Sequence, residues 1–371
     1  MKGGLLRDSY SWILTHDDFL RWRKGGDFDS RLLWIKADPG KGKTMMLCGI
    51  INELDPSDPT HLVSFFFCQT TDIHLNNAIA VLRGLLFQLI DKWPSLVPTH
   101  TRDKYDLAGK GLFEDQNAWT ALCDILTEVL QDLDLPPTTL IIDALDECET
   151  HRDYLLKFIV EFIENHPNSR VKWAVSSRNW PYIEEELDTT HKVCLCLELN
   201  RTCISAAVDS YIGHKVNELA KQKRYTSAVR EAVHSYLANN AEGTFLWVAL
   251  VCEALGDSKT RKWNMDERLS ERFPSGLDSL YDSVIDQAIE SRTQKEVLAT
   301  MSIVYRPLSL KELPYLVKSL QELTGDPESL EEIIRSCGSF LTVQDGYVSS
   351  YINPQKTIYC RKQRIESSIH A

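Results

Sequence analysis

The sequence predicts an α/β fold with three layers, in which helices cover both faces of a mainly parallel β-sheet. Two observations lead to this prediction. Short, largely apolar runs alternate with segments of helical periodicity over residues 31–199, as in chains that build parallel sheets. The run at His61–Cys68 is apolar almost throughout, which suits a strand that is buried on both faces.

The predicted elements of this domain follow in chain order. Residues 1–30 form a flanking segment with a short helix that we expect to lie against the sheet, and residues 94–116 read as a loop-rich insertion. Strands are predicted at Arg31–Lys36, His61–Cys68, Leu140–Asp143, Val171–Arg178 and Lys192–Leu199, and helices at Gly42–Asn52, Asn76–Asp91, Ala118–Leu133 and Tyr154–Asn165.

Beyond residue 200 the pattern is helical and ends in a hairpin signal at Asp345-Gly346. Ser-x-x-Glu patterns at Ser309 and Ser329 are capping-box signatures of two further helices. Helices followed by a small hairpin are typical of a winged-helix unit. The predicted division is a flanking segment 1–30, an α/β domain 31–199, a helical domain 200–258, a linker 259–275, a partial winged-helix domain 276–346 and a divergent tail 347–371.

The first predicted strand runs into a phosphate-binding loop. Residues 37–44 read A-D-P-G-K-G-K-T, which is the pattern G-x-x-x-x-G-K-[ST] with Ala37 in place of the first glycine. In such a loop the backbone N–H groups face phosphate oxygens, Lys43 reaches the β- and γ-phosphates, and the Thr44 hydroxyl binds Mg²⁺. The alternative is an ordinary strand–turn–helix connection. The residues expected to bind the nucleotide are Asp38, Pro39, Gly40, Lys41, Gly42, Lys43 and Thr44.

A second buried strand carries acidic residues at its end, where an open α/β sheet presents its ligand site. Asp143 directly follows three apolar residues and is placed to hold Mg²⁺ together with Thr44. Asp146 and Glu147 are candidates for orienting or deprotonating an attacking water molecule. Alone, this segment could equally be a solvated acidic loop, but the upstream phosphate loop favours a catalytic role for its carboxylates.

Two further features leave alternatives open. Arg178 ends a predicted strand, so it could sense the γ-phosphate or stabilise transition-state charge, or it could be a surface arginine. The aromatic residues ahead of the phosphate loop, among them Tyr10, Trp12 and Trp22, fit a nucleobase pocket or, more often, an ordinary core.

Composition and charge disfavour several classes of function. The formal net charge of -12 disfavours sequence-independent binding of nucleic acid. The 10 cysteines are scattered without a CxxC pair, which fits a reduced cytoplasmic location rather than a disulfide framework or a zinc site. The longest apolar stretch, Phe245 to Cys252, is far shorter than the roughly 20 residues of a membrane span. A soluble cytoplasmic protein is therefore expected.

Taken together, these stretches resemble the NACHT NTPases of the STAND class, in particular the fungal NOD-like receptors of vegetative (heterokaryon) incompatibility. The matching stretches run in family order over residues 3–346. They are GGLLRDSYSWIL (3–14), RLLWIKADPGKGKTMMLCGIINEL (31–54), FFFCQTTD (65–72), AVLRGLLFQLI (80–90), LIIDALDEC (140–148), VSSRNWP (175–181), GTFLWVALVCEAL (243–255), GLDSLYD (276–282), RPLSLKEL (306–313) and CGSFLTVQDG (337–346).

The resemblance implies roles for matching positions only. It implies phosphate and Mg²⁺ contacts for residues 40–44, a Walker B role for Asp143 and a sensor-1 role for Arg178. Asp146 with Glu147 would be the acidic pair that follows the Walker B acid, residues 200–258 the helical lid, and residues 276–346 the winged helix.

The sequence departs from the family in two places. Ala37 stands where the family has glycine, and its methyl group is harmless only if the backbone there does not need a positive φ. Asn353 is the nearest counterpart of a winged-helix histidine that reaches the β-phosphate in the family, so the diphosphate-bound state is expected to lack that clamp. Because no effector domain or repeat array occurs in the 371 residues, the chain is expected to be N- and C-terminally short.

The expected function is a signalling switch. ATP or GTP would bind with Mg²⁺, and slow hydrolysis would control self-association, or association with related NACHT proteins, in fungal self/non-self or innate-immunity signalling. The alternative is a non-hydrolysing nucleotide-binding scaffold or decoy. A metabolic P-loop kinase is a third possibility that the helical second half disfavours.

Overall fold

The fold is that of a computed structural model of the chain. It describes residues 6–24, 30–54, 60–96, 117–187, 192–256, 273–277, 292–301, 308–336, 341–344 and 346–350, with a few single positions between them. Most of the predicted insertion 94–116, most of the linker 259–275, most of the tail and Asn353 lie outside the described residues. The chain divides into two compact units, Met1–His214 with Gly243–Leu246 and Lys215–Glu242 with Trp247–Ala371.

The first unit contains a five-stranded sheet in which every pair of neighbouring strands is parallel. Its spatial order is β2-β3-β4-β1-β5. Apolar side chains fill the strands because helices cover the sheet, and this confirms the predicted α/β class. The strands are β1 (Leu32–Lys36), β2 (Leu62–Phe67), β3 (Thr138–Asp143), β4 (Val171–Ser177) and β5 (Lys192–Cys196).

Helices alternate with these strands as the periodicity predicts. Four of the helices, Ala78–Lys92, Ala118–Leu130, Arg152–Asn165 and Pro181–Glu186, bury apolar side chains in one hydrophobic core that includes Trp34 and Trp173 of the sheet. Helix α3 is capped by Asn77, whose side chain accepts a hydrogen bond from the N–H of Ala80 at 2.8 Å. The helices are α1 (Asp17–Lys24), α2 (Lys43–Glu53), α3 (Ala78–Lys92), α4 (Ala118–Leu130), α5 (Arg152–Asn165) and α6 (Pro181–Glu186), followed by α7 (Arg201–Lys223), which continues into the second unit.

The flanking segment before the phosphate loop packs as core. Two short 3-10 turns, Arg7–Ser9 and Ser11–Thr15, precede helix α1. Tyr10 is 7% exposed and lies against Gly49 of α2, and Trp22 is 1% exposed. Of the two interpretations left open for these aromatic residues, an ordinary core rather than a nucleobase pocket applies to Tyr10 and Trp22.

The second unit is helical with a small antiparallel sheet. Its sheet has the order β6-β8-β7, and the hairpin β7–β8 pairs Gln344 with Tyr347, as the Asp-Gly signal predicts. The two-residue strand β6 was not predicted. The helices described in this part of the chain are α8 (Ser227–Asn240), α9 (Phe245–Gly256), whose first two residues belong to the first unit, α10 (Arg292–Met301), α11 (Leu313–Leu316) and α12 (Pro327–Ser336). The strands are β6 (Leu308–Ser309), β7 (Leu341–Gln344) and β8 (Tyr347–Ser350).

The described helices include no candidate membrane span. Not one of them combines the length and the apolar character that crossing a bilayer requires. The cysteines that the structure describes are all free.

Candidate nucleotide-binding site

The candidate site lies at the carboxyl ends of three adjacent strands. Strand β4 pairs with β1 on one side and with β3 on the other. The loop after β1, the acidic segment after β3 and the Ser-Ser-Arg tip of β4 therefore meet at one edge of the sheet, although Thr44 and Asp143 are 99 residues apart in the chain. This is the edge where parallel sheets bind ligands.

The phosphate loop has the backbone that its glycines predict. Gly40 and Gly42 have φ values of 77° and 89°, in the left-handed region that glycine adopts without strain. Ala37 is not among the described non-glycine residues with positive φ, it is fully buried, and its N–H donates to the carbonyl oxygen of Ser177 at 3.3 Å. The methyl group at the first position of the motif is thus accommodated without backbone strain.

Lys43 begins helix α2 directly behind the loop. Its Nζ donates to the carbonyl oxygens of Ala37 at 2.8 Å and Asp38 at 3.2 Å. Burial lowers the pKa of Lys43, and the charges of Asp146 and Asp143 oppose that shift. The ammonium group is thus held over the loop by backbone oxygens and by carboxylates across the site.

Thr44 and Asp143 form a pair of hard oxygen groups. Thr44 Oγ1 donates to Asp143 Oδ2 at 2.7 Å, and Ser176 Oγ donates to Asp143 Oδ1 at 2.5 Å. Asp143 is 4% exposed; burial raises its pKa, while the two hydroxyl donors work in the opposite direction. Mg²⁺ prefers oxygen ligands, and the Thr44 hydroxyl and the Asp143 carboxylate supply two of them beside the phosphate loop. These residues therefore fit that ion.

Asp146 is engaged by Arg178 through two groups. Its Oδ2 lies 2.9 Å from Arg178 Nε, and its Oδ1 accepts the backbone N–H of Arg178 at 3.0 Å. The Asp146 side chain is only 4% exposed. Asp146 therefore fixes both the main chain and the side chain of the predicted sensor arginine.

Glu147 is the more accessible member of the acidic pair, with 31% of its side chain exposed. Its Oε2 accepts the backbone N–H of Thr70 at 3.2 Å, and its Oε1 lies 3.8 Å from Arg178 Nη2. Burial and then the charge of Asp146 raise the pKa of Glu147 above its ordinary value of 4.5. A carboxylate with a raised pKa is a better proton acceptor once it is ionised.

The structure adds contacts that the sequence did not indicate. The N–H of Leu246 donates to the carbonyl oxygen of Gly40 at 3.3 Å, and a Cβ atom at Gly42 would lie 2.9 Å from the Phe245 ring. Glu198 Oε1 accepts the N–H of Asp38 at 2.6 Å, so that this N–H of the predicted binding set faces a carboxylate. These partners are distant in sequence from the loop, and although Phe245 and Leu246 lie in one of the stretches that resemble the family, the sequence did not indicate their contact with the loop.

Comparisons with known proteins show what this chain is similar to. Residues 8–178 match the family described as "Nephrocystin 3, N-terminal". "Vegetative incompatibility protein HET-E-1" of Podospora anserina is 50% identical over 348 residues, which are 93% of this chain and 25% of that protein. The chain thus spans about a quarter of the length of the curated relative that it matches.

Two solved structures are among those similar to this chain. The Aeropyrum pernix ORC2 protein, solved as ADPNP-ADP complexes, has a TM-score of 0.43 and 10% identity, covering 100% of this chain and 96% of that one. CDC6P from Pyrobaculum aerophilum has a TM-score of 0.44 and 13% identity, covering 96% and 93%.

Proposed function

Since this chain belongs to the NACHT-type family of P-loop proteins, we propose that it is a cytoplasmic signalling switch that binds ATP or GTP with Mg²⁺ and hydrolyses it slowly. Nucleotide controls association of the chain with itself or with related NACHT proteins. The process is vegetative incompatibility or a related self/non-self or immune response, as the name of the Podospora relative indicates for that protein.

One observation carries the proposal. Residues predicted from two separate patterns, Lys43 and Thr44 from the phosphate loop and Asp143 from the acidic strand end, lie together at the tips of β1 and β3, with Thr44 and Asp143 in direct contact at 2.7 Å. An ammonium group, a hydroxyl group and a buried carboxylate at a helix N-terminus are the groups that binding of a magnesium nucleotide requires.

Each residue of the proposed nucleotide site is assigned its own role. The loop residues 40–43 bind the phosphates, and Thr44 and Asp143 hold Mg²⁺, which neutralises charge on the β- and γ-phosphate oxygens when it is bound. Glu147 accepts a proton from the attacking water at Oε1, because Thr70 already donates to Oε2. Asp146 positions Arg178 rather than acting as a base, since both of its oxygens accept hydrogen bonds from that arginine.

The domain organisation belongs to the same proposal. Residues 200–258 are assigned as the helical lid and residues 276–346 as the winged helix. The antiparallel sheet β6-β8-β7 and the hydrophobic core that it shares with α10 and α12 support a winged-helix assignment within the second unit.

The test compares wild type with Lys43→Ala and Glu147→Gln in nucleotide binding and phosphate release. Lys43→Ala should lose nucleotide binding, because the loop loses the ammonium group assigned to the β- and γ-phosphates. Glu147→Gln should bind with wild-type affinity but release phosphate at least about 100-fold more slowly, since a glutamine cannot accept a proton. Equal rates in all three proteins would refute hydrolysis.

A non-hydrolysing scaffold is the second candidate. The pairing of Arg178 with Asp146 and Glu147 favours it, because in this arrangement the arginine is already occupied by two carboxylates. The same experiment separates the two functions. Nucleotide binding that depends on Lys43, together with no phosphate release above the Glu147→Gln background, would select the scaffold.

A further inference from the structure

A carboxylate outside the predicted site contacts the phosphate loop. Glu198 lies in a short 3-10 turn, Leu197–Asn200, that directly follows β5. Because β5 pairs with β1 in parallel, with Cys196 opposite Lys36, the turn after β5 lies beside the loop after β1. Glu198 Oε1 accepts the N–H of Asp38 at 2.6 Å.

The Glu198 carboxylate is itself fixed. Cys196 Sγ donates to Glu198 Oε2 at 3.3 Å, and the side chain of Asn179 provides another hydrogen bond. Burial alone would raise the pKa of Glu198, but the hydrogen bonds, led by that from the Asp38 N–H, hold it below its ordinary value. Burial and the bond to Glu198 both raise the pKa of Cys196, so the thiol keeps the proton that it donates.

This contact acts on the peptide groups that hold Lys43. The Ala37 N–H is bound by Ser177 and the Asp38 N–H by Glu198, while the carbonyl oxygens of both residues accept from Lys43 Nζ. The Asp38 N–H and the Ala37 carbonyl belong to one planar peptide group, so the bond from this N–H to Glu198 fixes the direction of the Ala37 oxygen to which Lys43 donates at 2.8 Å.

We propose that Glu198 is a positioning residue of the phosphate loop, which holds the Asp38 peptide so that Lys43 stays aligned with the β- and γ-phosphates of a bound nucleoside triphosphate. This role rests on the proposed nucleotide binding and adds a residue to it. Glu198 touches no phosphate itself; it acts through the Asp38 backbone.

The test separates the hydrogen bond from the charge. Glu198→Ala removes both, whereas Glu198→Gln keeps an acceptor oxygen without the charge. Glu184→Ala is the matched control, because Glu184 is also a carboxylate near the end of β1 but bonds to a side chain, that of Lys36, at 2.9 Å. Each protein is titrated with ATP and with GTP in the presence of Mg²⁺, and its thermal unfolding is recorded without nucleotide.

Glu198→Ala should weaken triphosphate binding about tenfold, the loss expected for one hydrogen bond to a charged group. Glu198→Gln should stay within about threefold of wild type, and Glu184→Ala should bind as wild type does. Unchanged affinity in Glu198→Ala would overturn the proposal. Equal losses in the alanine and glutamine variants, with or without a lower unfolding temperature, would also overturn it, because an acceptor at this position would then not be what matters.

Lys43→Ala is measured alongside to separate this inference from the function on which it rests. A wild-type protein that binds neither nucleotide would refute the proposed function itself. Binding that depends on Lys43 and is indifferent to Glu198 would refute only the positioning role.

Discussion

At the scale of single residues, Asp143 combines deep burial with a functional charge. Burial raises the pKa of its carboxyl group, although hydrogen bonds from Ser176 and Thr44 oppose the shift. A raised pKa means that the ionised form is less favourable in the folded protein than in the unfolded chain. The carboxylate therefore costs stability at neutral pH, and this cost is absent below the ordinary pKa of 3.8.

We expect Asp143→Asn to raise the free energy of unfolding by about 1 kcal/mol at pH 7 in the absence of nucleotide. Asparagine has nearly the same shape, keeps one acceptor oxygen and has no charge to desolvate. Thermal or urea unfolding at pH 7 and near pH 3.5 checks this, and the difference should shrink at the lower pH. Magnesium-dependent nucleotide binding should weaken in the same variant.

Asp146→Asn serves as the control for this prediction. Its carboxylate receives two hydrogen bonds from Arg178, so replacing it removes the partner of a cation and should lower stability. A loss of stability in Asp143→Asn at pH 7 would contradict the expected cost of the buried charge.

At the scale of elements, the outer edge of strand β2 is closed by helix α3. The Gln88 amide accepts the N–H of Phe65 at 3.1 Å through Oε1 and donates to the Phe65 carbonyl oxygen at 2.7 Å through Nε2. Lys92 donates to the carbonyl oxygen of Val63. Since β2 is an edge strand, these side chains occupy backbone groups that another strand would otherwise pair.

Gln88→Ala should therefore leave the Phe65 backbone unpaired and expose the edge. We expect a loss of about 1–2 kcal/mol in unfolding free energy and self-association that increases with protein concentration. Urea unfolding and sedimentation velocity measure the two effects. Gln88→Glu is the matched variant: it keeps the acceptor and adds a charge, so it should lose stability but stay monodisperse. Association of both variants to the same extent would refute the edge explanation.

Helix capping shows how far local patterns determine an element. The box predicted at Ser309 forms, since Ser309 Oγ accepts the N–H of Glu312 at 3.2 Å and Glu312 Oε2 accepts the N–H of Ser309 at 2.9 Å. The prediction of a capping box at Ser329 is wrong. Asp326 receives the N–H of Ser329 at 3.1 Å, because α12 begins at Pro327, a residue suited to the first turn.

At the scale of the whole molecule, the proposed nucleotide contacts all belong to one unit. The phosphate loop, the acidic segment after β3, Arg178 and the segment Gly243–Leu246 lie in the first unit, although that last segment comes late in the chain. The hydrophobic core built around β6, β7 and β8 belongs to the second unit. Ligand binding should therefore stabilise the two units unequally.

Magnesium nucleotide at 100 times its Kd should slow the hydrogen exchange of those amides in β1, β3 and β4 that exchange when the unit unfolds. The expected factor is about 100-fold, as mass action gives for a ligand that binds only the folded protein. Amides of β7 and β8 should change less than about twofold by the same relation. Hydrogen exchange with mass spectrometry follows both sets in one sample, and Lys43→Ala should abolish the difference. An equal gain in both units would contradict the assignment of the contacts to the first unit alone.

The sequence alone determined the class of fold and the chemical groups of the site. Apolar runs located the strands to within a few residues, because burial on both faces of a parallel sheet requires continuous apolar sequence. Lys43, Thr44 and Asp143 were found because the phosphate loop and the acidic strand end are local patterns. Hydrophobic periodicity says which residues are buried but not which strand lies beside which.

Only the tertiary structure decided how these groups are connected. Placing β4 between β1 and β3 brings Ser176 to Asp143 and Arg178 to Asp146, and placing β5 beside β1 brings Glu198 to Asp38. The tertiary structure also shows that the backbone at Ala37 does not adopt a positive φ. These contacts join residues far apart in the chain through strand order and backbone direction, so no stretch of sequence read by itself contains them.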